Sequence, residues 1–444
     1  MGVLSRLFRS QPSPVADLNS NRGARERIPQ EPRVASVMPA SEVFTPSQPK
    51  SGRRQVVGRD AECARILQAL HEDRANVVLY SERGRGKTSL SNMVVESLRR
   101  SNVIVARHTC EAGSNFSSIL RGLMQDLPVS LLAAPRRFDQ CEGCEAALPD
   151  RELRPNDTLT LPDALSCRSL VCVIDEFDRV EDRNTRTRLA DAIKQLSDRD
   201  VDFRFFIVGV SEDLDQILGQ HPSIQRSVLG VHLPLFTDRD VAKLISKGGR
   251  ESGFEFPSSV IARIAALARG MPYIAQLLGL RLVQAARARG GTVVSEGDFH
   301  NAIDRLLADA NPRVVDLYSN LTQRGTDHEM MLSLRRIATA PQDPWGRLHV
   351  AVTPDGGAAV GGRQIPPASW SELLAASVLQ ATDRDAGLFV FAQRTLMHHV
   401  LLMAAQEAAN HAVETVQPQQ PQPQQQPRAM ANVVRRSPMV APRA

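Results

Sequence analysis

The feature that most constrains this chain is an eight-residue run, Ser81-Glu82-Arg83-Gly84-Arg85-Gly86-Lys87-Thr88. It directly follows an apolar stretch, NVVLY (76–80), and opens a helical period over 87–99. A glycine-spaced loop between a buried strand and a helix is the context of a phosphate-binding P-loop. The glycines let the backbone curl so that successive N–H groups point at phosphate oxygens. The helix start adds the positive end of its dipole. Lys87 is placed to reach the β- and γ-phosphates of a bound ATP, and Thr88 to offer its hydroxyl to Mg2+. Ser81, Gly84, Arg85, Gly86 and Ser89 complete the candidate cofactor-binding set. Ser81 stands where the pattern asks for Gly, which costs backbone freedom at the loop's entrance. The competing reading is a basic turn ahead of a helix.

The surroundings support a layered α/β fold. Apolar strands are expected at 76–80, 102–106, 169–174, 203–210 and 228–233, with helices between them at 87–99, 114–127 and up to about 196. Fully apolar strands alternating with helices predict a five-stranded parallel sheet covered on both faces. The third strand, Leu170-Val171-Cys172-Val173-Ile174, runs into Asp175 and Glu176, which lie 88 and 89 residues after Lys87. At the carboxyl end of a parallel strand an acid points into the ligand crevice. Asp175 is then a Mg2+ ligand, directly or through water, and Glu176 a general base for the attacking water. Alternatively, the two acids cap the next helix, whose first turn favours them. Ser211 ends the next apolar strand and reads either as a sensor of the γ-phosphate or as a helix N-cap. Arg226, just before the fifth strand, reads either as a finger reaching a neighbouring subunit's nucleotide or as a surface arginine.

The rest of the chain sets the domains. Residues 1–52, rich in Pro, Ser, Gln and Arg, and 409–444, with the run VQPQQPQPQQQPR, read as disordered tails. Residues 53–236 form the expected ATPase domain, interrupted by a loop insertion at 128–168; 237–310 a helical lid; and 311–408 a mixed domain of helices and a Gly-rich hairpin, compatible in shape with a winged helix. The third helix of that domain is expected near 368–380. The net charge of +5 suggests nucleic acid until it is divided. Residues 1–60 carry ten Lys/Arg against five Asp/Glu and residues 411–444 four against one, so the 350 residues between carry a net −3. The basic excess therefore sits in the tails. Cys141 and Cys144 have half the spacing of a zinc knuckle, with only Cys110 and Cys167 as further donors; free thiols are the simpler reading. His398 and His399 lack metal or nucleophile spacing and read as packing or surface residues. Six scattered Cys, no run of about 18 apolar residues and no secretory signal point to a reducing cytoplasm.

The chain resembles the AAA+/STAND superfamily of P-loop ATPases, nearest the branch of origin-recognition initiator ATPases and their bacterial relatives. Four features carry the resemblance, which spans roughly residues 54–310: Val57-Gly58-Arg59-Asp60, the P-loop (Walker A), Ile174-Asp175-Glu176-Phe177-Asp178 (Walker B) and Gly270-Met271-Pro272. It implies that Val57, Gly58 and Arg59 pack near the adenine, that Pro272 lies near base and ribose in the lid, and that Arg226 stands where an arginine finger is expected. It further implies a nucleotide-driven switch whose lid closes on ATP and whose appended domain moves, with a homo-oligomer or another protein as partner. DNA binding through the winged helix and basic tails is the alternative. It is disfavoured because the expected third helix offers Glu372 and only Gln380 before Arg384.

Overall fold

Strand β1, Asn76–Ser81, is the spine of the molecule, hydrogen-bonded in parallel to β4 (Phe203–Val210) on one side and β5 (Val228–His232) on the other. Beyond β4 lie β3 (Leu170–Asp175) and then β2 (Ile104–Thr109), giving a parallel sheet of order β2-β3-β4-β1-β5. The computed structural model describes residues 38–46, 48, 56–132, 144–165, 169–199, 202–211, 226–323, 327–382 and 387–416. Every residue of β3 is buried, as its unbroken apolar run requires. The chain crosses β1 when it passes from β4 to β5, which puts a topological switch point at the carboxyl end of β1. Strand β2 begins two residues later than expected, because Asn102 takes a left-handed φ of 59° and turns the chain first.

The element order starts with a single turn, α1 (Ala40–Val43), followed by α2 (Asp60–His71), α3 (Lys87–Arg100) and α4 (Phe116–Gln125). Asn115 caps α4 through a reciprocal pair with Ser118, which is why this helix starts later than its apolar period suggests. The segment expected as a surface loop at 128–168 is instead, over its described residues, part of the core. Leu148, Leu153, Leu161 and Leu165 bury their side chains against α4 and α6 (Arg183–Ser197), aided by a short α5 (Leu161–Ala164). Polar residues around those leucines hid their burial.

The helical unit consists of α7 (Asp238–Ser252), α8 (Ser258–Ala268), α9 (Pro272–Ala288) and α10 (Glu296–Ala308). Thr237 and Ser295 cap α7 and α10 with full capping boxes. A further correction concerns the first tail: residues 38–46 are folded onto this unit, with Ala40, Val43 and Phe44 buried in its core. One aromatic anchor is enough to hold so short a segment, and no periodicity marks it.

The C-terminal unit holds α11 (Pro312–Thr322), α12 (Asp327–Thr339), β6 (Leu348–Val352), β7 (Ala358–Val360), β8 (Arg363–Ile365), α13 (Pro367–Ala375), β9 (Leu379–Ala381), β10 (Leu388–Phe391) and α14 (Arg394–Val416). Its sheet has five antiparallel strands in the order β8-β7-β6-β10-β9, where a Gly-rich hairpin and a short strand at 388–391 were expected; the short strand is β10. The expected helix at 368–380 stops at Ala375; Ser377 turns the chain with φ 51°, and Gln380 lies on β9. Helix α14 continues to Val416, past the expected boundary at 408. Among the described residues no helix is long and apolar enough to cross a membrane.

Candidate functional site: a phosphate cradle beneath a helical lid

The loop after β1 has the geometry its spacing demands. Gly84 and Gly86 take left-handed φ angles of 81° and 91°, and Gly86 is the N-cap of α3. A side chain at Gly84 would stand 3.0 Å from the Met271 methyl. Ser81, by contrast, remains strand, paired with Val210, and has no positive φ, so glycine is not required there. Its hydroxyl donates to the Glu82 carbonyl at 3.1 Å.

Lys87 is buried, and its ammonium donates to the Ser81 and Glu82 carbonyls, each at 2.8 Å. The loop thus curls around its own lysine and closes a ring. Burial lowers the Lys87 pKa to about 8, partly countered by Asp178 and Asp175. An incoming phosphate favours the charged form. Affinity for a triphosphate is therefore expected to be greatest below pH 8 and to fall by up to about tenfold per unit as pH rises further; a titration series of binding isotherms checks this.

A cavity of about 580 Å³ joins this loop to the acids. Its walls include Gly84, Gly86, Lys87, Thr88, Ser89, Asp175 and Glu176. From the lid come Pro272, Tyr273 and Gln276. A narrow slot continues from it, with Val56, Val57, Phe236, Leu244 and Pro272 on its apolar side and Arg59 and Arg85 also in its wall. Pro272 is the first residue of α9, and the Gly270-Met271 turn ahead of it is tight: a Cβ on Gly270 would meet the Phe236 carbonyl at 2.6 Å. Gly58, with φ 71°, packs against Asp240 of the lid.

The fate of the acids differs. Asp175 lies at the tip of β3 and is almost fully committed: one carboxylate oxygen accepts from the Glu176 N–H at 2.9 Å and the other from Arg107 at 2.8 Å. Thr88 and Asp175 face one cavity, an arrangement that fits Mg2+ between hydroxyl and carboxylate through a water shell. Glu176 turns out of the strand with a left-handed φ of 53°, half-exposed, and pairs with Arg179 at 2.9 Å. Asp178 accepts from the Val210 N–H at 2.8 Å and so fastens this corner to β4.

Arg59 and Arg85 line the slot, and their guanidiniums are also struts. Arg59 donates to the carbonyls of Arg85 (3.2 Å) and Pro234 (2.8 Å) and lies 4.4 Å over the Phe236 ring. Arg85 donates to the carbonyls of Leu233 (3.1 Å) and Trp345 (2.6 Å) and pairs with Glu82 at 3.2 Å. Burial lowers the Arg59 pKa to about 10, leaving it charged at neutral pH. Ser211 is buried just past the end of β4, while Val208, Gly209 and Val210 are the residues of that strand on the cavity wall. Arg226 is exposed and lies outside the cavity wall. Arg281 pairs with Asp309 at 2.7 Å, away from the site.

Cys141 and Cys167 fall outside the described residues. Cys144 is buried and its thiol donates to the Pro128 carbonyl; burial pushes the Cys110 thiol up to about 12. His398 bridges the carbonyls of Arg394 and Ala268, and His399 meets the Tyr318 ring edge-on, so both are packing residues. The residues that sequence reasoning missed are Arg107, Glu82 and Arg394, single charges without a spacing signature, and Gln276.

A parallel α/β sheet with a glycine cradle after β1 at its switch point and acids at the tip of β3, one strand beyond β4, has the architecture of a P-loop nucleotide-binding site. Residues 55–207 match the family model of the AAA ATPase domain. No curated protein matches the chain. Among solved structures, the chain is similar to the Walker-type ATPase paby2304 of Pyrococcus abyssi, with 17% identity, a TM-score of 0.48, and coverage of 81% of this chain and 99% of that one. It is also similar to the RuvB Holliday-junction branch-migration motor of Thermotoga maritima (16%, 0.40, 79% and 97%). A third similarity is to Aeropyrum pernix Orc1, solved in complex with DNA (15%, 0.40, 80% and 94%).

Proposed function

We propose that this protein is a Mg2+-dependent ATP-hydrolysing switch in which the C-terminal unit reads the state of the P-loop and, on release, drives protein assembly. One observation carries the reading: the P-loop is bonded directly to the C-terminal unit. Glu82 forms a two-pronged ion pair with Arg394, the first residue of α14, and Arg394 also donates to the Gly346 carbonyl at 3.0 Å. Arg85 reaches the Trp345 carbonyl from the same loop. Trp345 stacks on His232, which stacks on Tyr80 of β1. Burial raises the Glu82 pKa, yet Arg394 and Arg85 outweigh it and hold the carboxyl below its usual range. A loop that reshapes around phosphate therefore pulls on a latch of buried charge.

Within the site, Lys87 and the loop amides hold the phosphates, and Thr88 and Asp175 hold Mg2+, which would neutralise charge there. Glu176 takes the proton of the attacking water on its carboxylate. Arg226, exposed, is free to serve a neighbouring subunit. The DNA-binding alternative is weakened because α13 carries Glu372 and no cation, Gln380 being on β9.

The test is size-exclusion of wild type, Glu176→Gln and Arg394→Ala, with and without ATP, repeated with duplex DNA. The expected result is an ATP-dependent assembly trapped by Glu176→Gln and formed without ATP by Arg394→Ala, with DNA inert. Co-migration with DNA at low salt, lost as salt rises, would transfer the reading to the DNA-binding alternative.

A further inference from the structure

The segment ahead of the ATPase domain reaches the wall of the phosphate cavity, and its attachment is specific. The ring of Phe44 is 1% exposed and fills a notch left by two helix glycines, Gly248 of α7 and Gly279 of α9. A Cβ at either glycine would lie within 2.5 Å of the ring. Phe256 meets the same ring edge-on at 6.1 Å, and the Met38 N–H donates to the Glu251 carbonyl at 2.9 Å. A single helical turn has no stability of its own. This one is held by the lid and carries Thr45, Pro46 and Gln48 onto the cavity wall.

There the Thr45 N–H donates to Oε1 of Gln276 at 2.9 Å. Gln276 stands on α9 where the phosphate cavity meets the slot, lining both. The Thr45 hydroxyl is buried and has no partner among the described residues. A carboxamide can flip end for end, and its neighbours decide which end accepts. Here the Thr45 N–H fixes Oε1 and leaves the Nε2 amide to donate elsewhere.

We propose that the strap at Phe44 and Thr45 locks the Gln276 carboxamide in the orientation that reads adenine, making Gln276 and Thr45 the base-discriminating residues of the site. Adenine presents an acceptor, N7, beside a donor, the N6 amino group, and a carboxamide matches both at once. Guanine presents two acceptors, N7 and O6, and sets its O6 against Oε1. This assignment rests on the nucleotide-site reading above, because the base must lie against Gln276, where the cavity meets the slot.

The experiment is competition binding of ATP, GTP and ITP to the full chain, for wild type, Gln276→Leu, Thr45→Pro and Phe44→Ala. ITP keeps the O6 acceptor of guanine without its amino group. Wild type is expected to prefer ATP over both by about tenfold or more. Gln276→Leu, which removes the carboxamide, and Thr45→Pro, which removes the N–H together with the threonine hydroxyl, should each erase most of that preference with triphosphate still bound. Phe44→Ala should do so through release of the strap, and a thermal melt reports whether the lid stays folded. An unchanged ATP:GTP ratio in both Gln276→Leu and Thr45→Pro, or no preference in wild type, overturns the proposal while leaving the phosphate site standing. Triphosphate binding that is indifferent to Lys87→Ala sinks the nucleotide-site reading, and this proposal with it.

Discussion

Glu176→Gln is expected to lower ATP turnover by about 10²–10⁴-fold while nucleotide affinity stays within a few-fold of wild type. The reason is the position of the side chain. Glu176 is the first residue past β3, turned out of the strand by a left-handed backbone and set on the wall of the phosphate cavity. That conformation costs a non-glycine residue about 1–2 kcal/mol. Glycine or asparagine would cost less there, so a glutamate in such a turn is a mark of use. The substitution keeps shape and removes only the proton acceptor. The exposed pair with Arg179 at 2.9 Å is lost with it, at about 0–1 kcal/mol. Single-turnover hydrolysis beside equilibrium binding separates chemistry from affinity. Turnover within threefold of wild type would move the base elsewhere, Asp178 being the next acid on that wall.

Lys87→Ala is expected to fail one step earlier, at binding. Each hydrogen bond to a charged group contributes about 1.5–3 kcal/mol, so losing the ammonium should weaken triphosphate binding by at least tenfold and up to about 150-fold per bond. The two bonds it makes to the Ser81 and Glu82 carbonyls vanish too, which loosens the loop. Against that, a buried cation whose pKa has been lowered to about 8 is itself a cost to the folded state. The melting temperature is therefore expected to change little even as affinity collapses. Calorimetric titration with ATP and a thermal melt check the two halves independently. Full affinity in Lys87→Ala would mean that the amide cradle alone holds the phosphates.

The same loop divides what was readable from what was not. Gly84, Gly86, Lys87 and Thr88 could be assigned from spacing because their geometry is local: two positive φ angles and a helix start are properties of adjacent residues. The acids followed for a similar reason, since an all-apolar strand ending in Asp175 and Glu176 has one place to put them. The three central strands, β1, β3 and β4, were legible because each is buried on both faces and shows it as an apolar run. For Arg59 and Arg85 only the place was legible: both line the slot beside the loop, while their guanidiniums also brace main-chain carbonyls that the sequence does not identify.

The C-terminal unit was least legible. Three of its strands have only three residues, too short for alternation to register, and one came from residues with a helical pattern. The leucines at 148–165 were hidden by the polar residues around them, and the strap by its lack of any period.

By itself, then, the sequence determined the phosphate loop, the acidic strand tip and the parallel sheet between them, because these depend on backbone conformation and burial within a few consecutive residues. Only the tertiary structure decided what that site is tied to. Arg394 meets Glu82 across 312 residues, Arg107 reaches Asp175 across a strand pair, and Phe44 finds the notch between Gly248 and Gly279. Such partners are chosen by strand register and helix packing, and no spacing rule along the chain can carry that information.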